Sequence, residues 1–316
     1  MPETINLTKK ETGKSLSRKI FSSDNFVGYA FLAPFLLLFI IFVLLPVFSA
    51  LLLSFTDFNS IERPRFVGWD NFRIMFTQDL ILMRYVIPNT FRFAVFVGPV
   101  GYFMTFMFAW LINQLPDRIR KYYSMALYTP SIAGGIMMSV VWVVFFSGDR
   151  LGYLNNLLIT LGVINNPVDW TQDQNYLMGI MIFVTIWGSM GVGFLSLLAG
   201  IQNVDPQLYE AGKIDGVRNR LQMIWYITVP STKPQMLFSA VMSIVGAIRA
   251  GSIGVQLSGM NPTPNYAGQL FQNHIEDYGF MRYELGYATA LSLVLILVII
   301  TVNKFCFKLL EQKDGE

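Results

Sequence analysis

The sequence predicts an all-α integral membrane protein with six transmembrane helices. Three observations carry that expectation. Of 316 residues, 53% are hydrophobic and only 14% are charged, whereas a soluble domain has about 45–50% and about 25%. Six stretches supply the roughly 20 apolar residues that cross a hydrocarbon core of about 30 Å. Lys and Arg gather on one side of the resulting topology. The composition excludes a disordered chain, a disulfide scaffold and an ordinary soluble enzyme. A net charge of +3 argues against a nucleic-acid binder. Cys306 and His274 are the only residues of their kinds, which removes intrachain disulfides, CxxC sites and most histidine-based metal chemistry.

The first span is expected at 26–53, around the run FLLLFIIFVLL. That run exceeds the apolar core of a signal peptide, about 7–15 residues, and no A-x-A-like site follows, so it reads as a retained span. The others are expected at 90–112, 122–146, 177–201, 236–253 and 287–307. The third carries Pro130 and the Gly134-Gly135 pair, where a kink is expected. The fifth is interrupted by Gly246, Arg249, Gly251 and Ser252. Residues 1–25 and 311–316 read as cytoplasmic tails flanking a transmembrane domain at 26–310.

Orientation follows from the basic residues. With the N-terminus inside, the inner face holds Lys9, Lys10, Lys14, Arg18, Lys19, Arg118, Arg120 and Lys121. It adds Lys213, Arg218, Arg220, Lys233, Lys304, Lys308 and Lys313. The outer loops hold only Arg63, Arg65, Arg73, Arg84, Arg150 and Arg282. Both termini are therefore expected in the cytoplasm. Arg92 lies near the outer end of span two and is expected to snorkel. Thr12-Gly13-Lys14-Ser15 contains GKS, but a phosphate-binding loop needs glycine where Thr8 stands and a preceding strand. No nucleotide site is expected in the chain.

The connection between spans four and five is long and polar. It reads DPQLYEAGKIDGVRNRLQMIWYITVPSTKP from Asp205. Asp205 is placed to cap a helix and Pro206 suits its first position. The helix is expected to reach Ile214 or Gly216, putting Gly212 and Gly216 on one face where another protein approaches closely. Glu210 beside that face suits an Arg across the contact. An amphipathic helix lying on the inner leaflet is the other reading of the same residues.

This stretch resembles the EAA loop of ABC importer permeases, over 205–234, with Glu210, Ala211, Gly212, Gly216, Ile227, Val229 and Pro230 in its pattern. Tyr209 and Ile214-Asp215 strengthen the likeness to the carbohydrate branch. Gly212 stands for a second Ala and Val229 for Leu, and one extra residue lies between Gly216 and Ile227. The run APFLLLFIIFVLLPVFSALLLSFTDF at 33–58, FVGWDNF, Asn89-Thr90-Phe91 and LGYATALSLVL at 285–295 also resemble sugar-type permeases of the maltose and glycerol-phosphate first-permease kind.

The resemblance implies a type I fold and a pore shared with a second permease. Two ATPase subunits would bind ATP and Mg beneath it, and an external solute-binding protein would deliver a sugar or oligosaccharide. Glu210, Ala211, Gly212, Asp215 and Gly216 would couple to the ATPase. Register with the family places Thr185, Gly188, Ser189 and Val192 of span four, and Val245, Gly246 and Arg249 of span five, along the substrate pathway. Gly188 also suits helix packing, and Gly191 is read as a packing position. Trp187 is read as core. His274, Glu276, Asp277 and Glu284, with Asp169 and Asp173, are read as solvated outer surface or contacts for the binding protein. An ion-coupled carrier is the competing reading, but no Asp or Glu falls within the six spans, where proton-coupled carriers place their acids.

Overall fold

A computed structural model describes residues 23–133 and 135–310. The N-terminal basic tail with its GKS run, Gly134 and residues 311–316 lie outside the described residues. The chain divides at Leu52 into two units. The described part of the first is helix α1, formed by Ser23–Phe39, a π turn at Ile40–Leu44, and Leu45–Leu53. It is apolar on every face, as a membrane-spanning helix is.

The second unit opens with α2 (Asp70–Thr77). Helix α3 begins as a π turn, Leu82–Val86, and continues as Ile87–Asn113. Then come α4 (Asp117–Ile132), α5 (Gly135–Phe145) and α6 (Tyr153–Thr160). Helices α7 (Gln174–Trp187), α8 (Val192–Gln202) and α9 (Pro206–Ile214) follow. Helix α10 (Arg220–Met223) runs through a π turn, Ile224–Thr228, into Val229–Ser231. The last four are α11 (Lys233–Arg249), α12 (Ile253–Ser258), α13 (Phe271–Glu276) and α14 (Leu285–Leu310).

Three π turns share a local cause. They end at Leu44, Val86 and Thr228, each two residues before a proline: Pro46, Pro88 and Pro230. Proline has no N–H and its ring crowds the carbonyl four residues back. Widening the preceding turn to i→i−5 bonding accommodates both without breaking the helix.

Not every expected span is one continuous helix. Among the described residues, Phe31–Leu53, Leu82–Asn113 and Leu285–Lys308 are continuous, apolar and long enough to cross a bilayer. The expected third span is divided between α4 and α5. The expected fourth is α7 and α8, bent by 41° at the break. There Gly188 ends α7, its N–H bonding back to Val184, and Gly191 starts α8 with extended backbone (φ −96°, ψ −145°). The expected fifth is the shorter α11, which stops at Ala250.

Helices α3, α8 and α11 pack on one another through small residues, as membrane helices do in the absence of a hydrophobic drive between them. A methyl on Gly193 would lie 2.8 Å from Ser239 Oγ, and one on Gly200 would lie 2.8 Å from Gln235 Cγ. Ser243 donates to the Gly98 carbonyl at 2.9 Å. Apolar side chains seal both ends of this seam. Phe194, Leu197 and Ile201 of α8 meet Ala109 and Ile112 of α3. Phe93 and Val97 meet Leu177, Met181 and Val184 of α7.

His274 corrects an expectation. It is 1% exposed, and its Nε2 lies 2.7 Å from Asp79 Oδ2. The Tyr287 hydroxyl donates to the same oxygen at 2.8 Å, and the Leu82 N–H donates to Oδ1 at 2.9 Å. This buried knot ties the α2–α3 connection to α13 and α14. Burial pushes the Asp79 carboxyl up, but the bond to His274, the Leu82 N–H and the Tyr287 hydroxyl outweigh it and hold the group below the usual carboxylate range. A lowered folded-state pKa means that this stability is present above about pH 4 and lost as pH falls through the folded value. In detergent, the thermal midpoint of the wild type should fall below about pH 4. Asp79→Ala should unfold earlier by about 3 kcal/mol at neutral pH and lose that acid dependence; an unchanged acid limb would reject the assignment.

Candidate functional site

Two surfaces in the second unit are candidates, and they are adjacent in the chain. The first is α9. Asp205 accepts from the Gln207 N–H at 2.9 Å and Pro206 opens the helix. The helix ends at Ile214, and Gly216 (φ +93°) lies past its end in a conformation that other L residues rarely adopt. Gly212 and Gly216 therefore do not share an open face. Gly212 is buried, and a methyl there would lie 2.6 Å from Ile227 Cδ1. The Tyr209 hydroxyl meets Thr228 Oγ1 at 3.0 Å. The exposed face instead carries Leu208, Glu210, Ala211, Ile214 and Asp215, with Ile214 86% exposed. The π turn Ile224–Thr228 brings Ile227 over Gly212.

The second candidate is a cavity of about 340 Å³ between α3, α7, α8 and α11. Thr185, Gly188, Ser189, Val192 and Gly246, all expected on a pathway, line it together. The Thr185 hydroxyl donates to the Met181 carbonyl at 2.7 Å. Ser189 Oγ is buried without a hydrogen-bond partner among the described residues. Space is open beside Gly246. Gly191 also lines the cavity, and a methyl there would make only an ordinary 3.8 Å contact with Ser131. It is the helix break, not a packing glycine; Gly193 holds the close contact.

Val245 is a second correction. It lines a separate hollow against Ser292, Leu295 and Ile296 of α14, about 100° around α11 from Gly246. The side chain of Arg249 lies outside the described residues. Arg92 is exposed. Sequence reasoning missed Ser239 and Ser243, which line the cavity with Gly246. Their spacing of i, i+4 and i+7 was the available signal.

Trp187 is not core: it is 40% exposed and lines a neighbouring cavity of about 250 Å³. Asp173 caps α7, accepting from Asn175 N–H at 2.8 Å, whereas Asp169 and Glu284 are exposed. Asp277 pairs with Arg282 at 2.8 Å and Glu276 bonds Gln272 at 3.3 Å. No cluster of three metal-binding side chains occurs among the described residues.

Residues 98–313, which hold α8, α9 and α11, match the family described as binding-protein-dependent transport system inner membrane component. The chain belongs to that family. Its relatives within this transport-component family include the probable ABC transporter permease protein YesP of Bacillus subtilis, 29% identical over 286 residues and 90% of each chain. The arabinooligosaccharides transport system permease protein AraP of the same organism is 28% identical over 99% of this chain and 97% of its own. The sn-glycerol-3-phosphate transport system permease protein UgpA of Escherichia coli O157:H7 is 27% identical, over 95% and 98%. In fold, the inner membrane component resembles a chain of a bacterial ABC transporter that imports the acidic polysaccharide alginate. The TM-score is 0.79 at 24% identity, over 95% of this chain and 99% of that one.

The Gly212–Ile227 contact is testable by a double-mutant cycle. Gly212→Ala gains helix propensity but crowds Ile227. Gly212→Ala combined with Ile227→Val, which removes the Cδ1 methyl, should be more stable than the two single changes add up to, by about 1 kcal/mol. Strict additivity in chemical unfolding would show that the two side chains do not meet.

Proposed function

We propose that this chain is the permease subunit of a binding-protein-dependent ABC importer for a sugar or oligosaccharide. It forms the membrane pathway with a second permease, as a heterodimer. Two ATPase subunits bind ATP and Mg and supply the energy, and an external binding protein supplies the substrate. In this reading the chain has six spans in a bacterial or archaeal cell membrane, with both termini cytoplasmic, and it catalyses no reaction itself. The observation that carries the reading is the junction of α9 with the cavity: α8 leads directly into α9, and the π turn that packs on α9 leads directly into α11. Names of relatives such as AraP support the carbohydrate class.

The mechanism follows from that junction. Glu210, Ala211, Asp215 and the exposed Ile214 present the face that enters a cleft of the ATPase, with Glu210 facing a basic group there. Gly212 and Gly216 shape the helix from behind. When the ATPase pair closes on ATP, α9 moves and carries α8 and α11 with it. The cavity walls then shift as near-rigid bodies between inward- and outward-open states, with the populations set by differential binding in the two states. Thr185, Ser189, Val192, Gly188 and Gly246 form the path, and Arg249, three residues beyond Gly246 in the sequence, is assigned to it as well.

Glu210→Lys should abolish co-purification of the ATPase, because an attractive pair becomes repulsive; unchanged association rejects the docking face. Arg249→Ala should lower uptake about tenfold or more while the four-part complex still assembles. Wild-type uptake by that variant removes Arg249 from the pathway.

A further inference from the structure

We propose that the cavity beside Trp187 is a sugar-ring subsite, so that the transported molecule spans at least two rings. The inference rests on the permease reading above and concerns what that pathway holds. A sugar ring has two faces of C–H bonds and a rim of hydroxyls. A fixed aromatic plane covers one such face, and hydrogen-bonding groups around it meet the rim.

The cavity supplies both. Trp187 lines it and is held by Trp142, whose ring lies 5.2 Å away at 86°. Trp142 is braced in turn by Phe183 at 5.3 Å and Phe146 at 5.7 Å. This aromatic stack fixes the indole before any ligand arrives, which lowers the cost of ordering on binding. Trp142 Nε1 is buried and has no hydrogen-bond partner among the described residues, so the part Trp142 plays at the cavity is to brace Trp187. Ser131 donates to the Tyr128 carbonyl at 2.8 Å and keeps acceptor capacity toward the cavity. Gln256 is fixed at both ends of its amide, by Ser139 and by Ser252, and stands on the opposite wall.

The position gives the number of rings. Thr185 and Gly188 line both this cavity and the larger one, so the two hollows adjoin across one turn of α7. The larger is walled by hydroxyls, glycines and aliphatic groups and contains no aromatic among its described lining residues. A ring in each, joined past Gly188, makes use of the absent side chain at that position.

The test uses the full complex with its second permease, ATPase and binding protein in proteoliposomes, with radiolabelled arabinotriose, lactose and diacetylchitobiose as probes. If the wild type transports none of them on ATP addition, the permease reading fails for these sugars and the subsite with it. If it transports one, Trp187→Leu, which keeps apolar bulk but loses the π face, should lower kcat/KM for that sugar about tenfold. Trp187→Tyr should stay within about threefold. Trp142→Phe, which shrinks the ring that braces Trp187, should raise KM about threefold or more. Wild-type transport by Trp187→Leu, or equal losses in the Leu and Tyr variants, would overturn the subsite while leaving the permease reading intact.

Discussion

The contact on which the rest of the second unit depends is the seat of α9 on the π turn before Pro230. Tyr209 bonds Thr228 and Gly212 receives Ile227, so the short helix cannot shift without displacing Ile224–Thr228. That turn runs through Val229–Ser231 into α11, while the other end of α9 follows Asn203 at the end of α8. Two of the helices that wall the cavity, α8 and α11, are thus anchored to one nine-residue helix. A longer or looser loop would allow α9 to move alone, and a push on its exposed face would be lost before it reached the cavity.

The seam between α8 and α11 keeps those walls together. Gly193 against Ser239 and Gly200 against Gln235 leave no room for a methyl, so the two helices approach closely. The break at Gly188–Gly191 then serves two purposes. It bends α7 against α8 by 41°, and it brings Gly188, Ser189 and Gly191 into the cavity lining.

Much of this was legible in the sequence, and the remainder was hidden for identifiable reasons. The Asp205–Pro206 start of α9 is local capping chemistry, and it stands where the residues place it. Most of the cavity lining in α7 and α8 was found because those helices keep the register of the resemblance up to the glycine break. Val245 and Gly246 were expected on one surface, but they are neighbours on α11, and one position is about 100° on a helix, so Val245 lines a separate hollow. The π turns at Ile40–Leu44, Leu82–Val86 and Ile224–Thr228 look obscure but follow a local rule, each ending two residues before a proline. Asp79 and His274 were not legible, because 195 residues separate them and no spacing rule joins a loop acid to a histidine in a distant helix. Trp187 was read as core from its residue type alone; its partial exposure depends on where α5 and α12 lie.

The scarcity of charge in the membrane-crossing helices bears on the source of energy. The described residues lining the two cavities include no carboxylate, so the groups that proton-driven carriers protonate are not among them. The most direct measurement of the account is sugar accumulation in sealed proteoliposomes holding both permeases, with the loaded binding protein outside. Accumulation should require the ATPase subunits and internal ATP, and should be unaffected by collapsing proton and sodium gradients. Accumulation driven by either gradient in vesicles without the ATPase would contradict it.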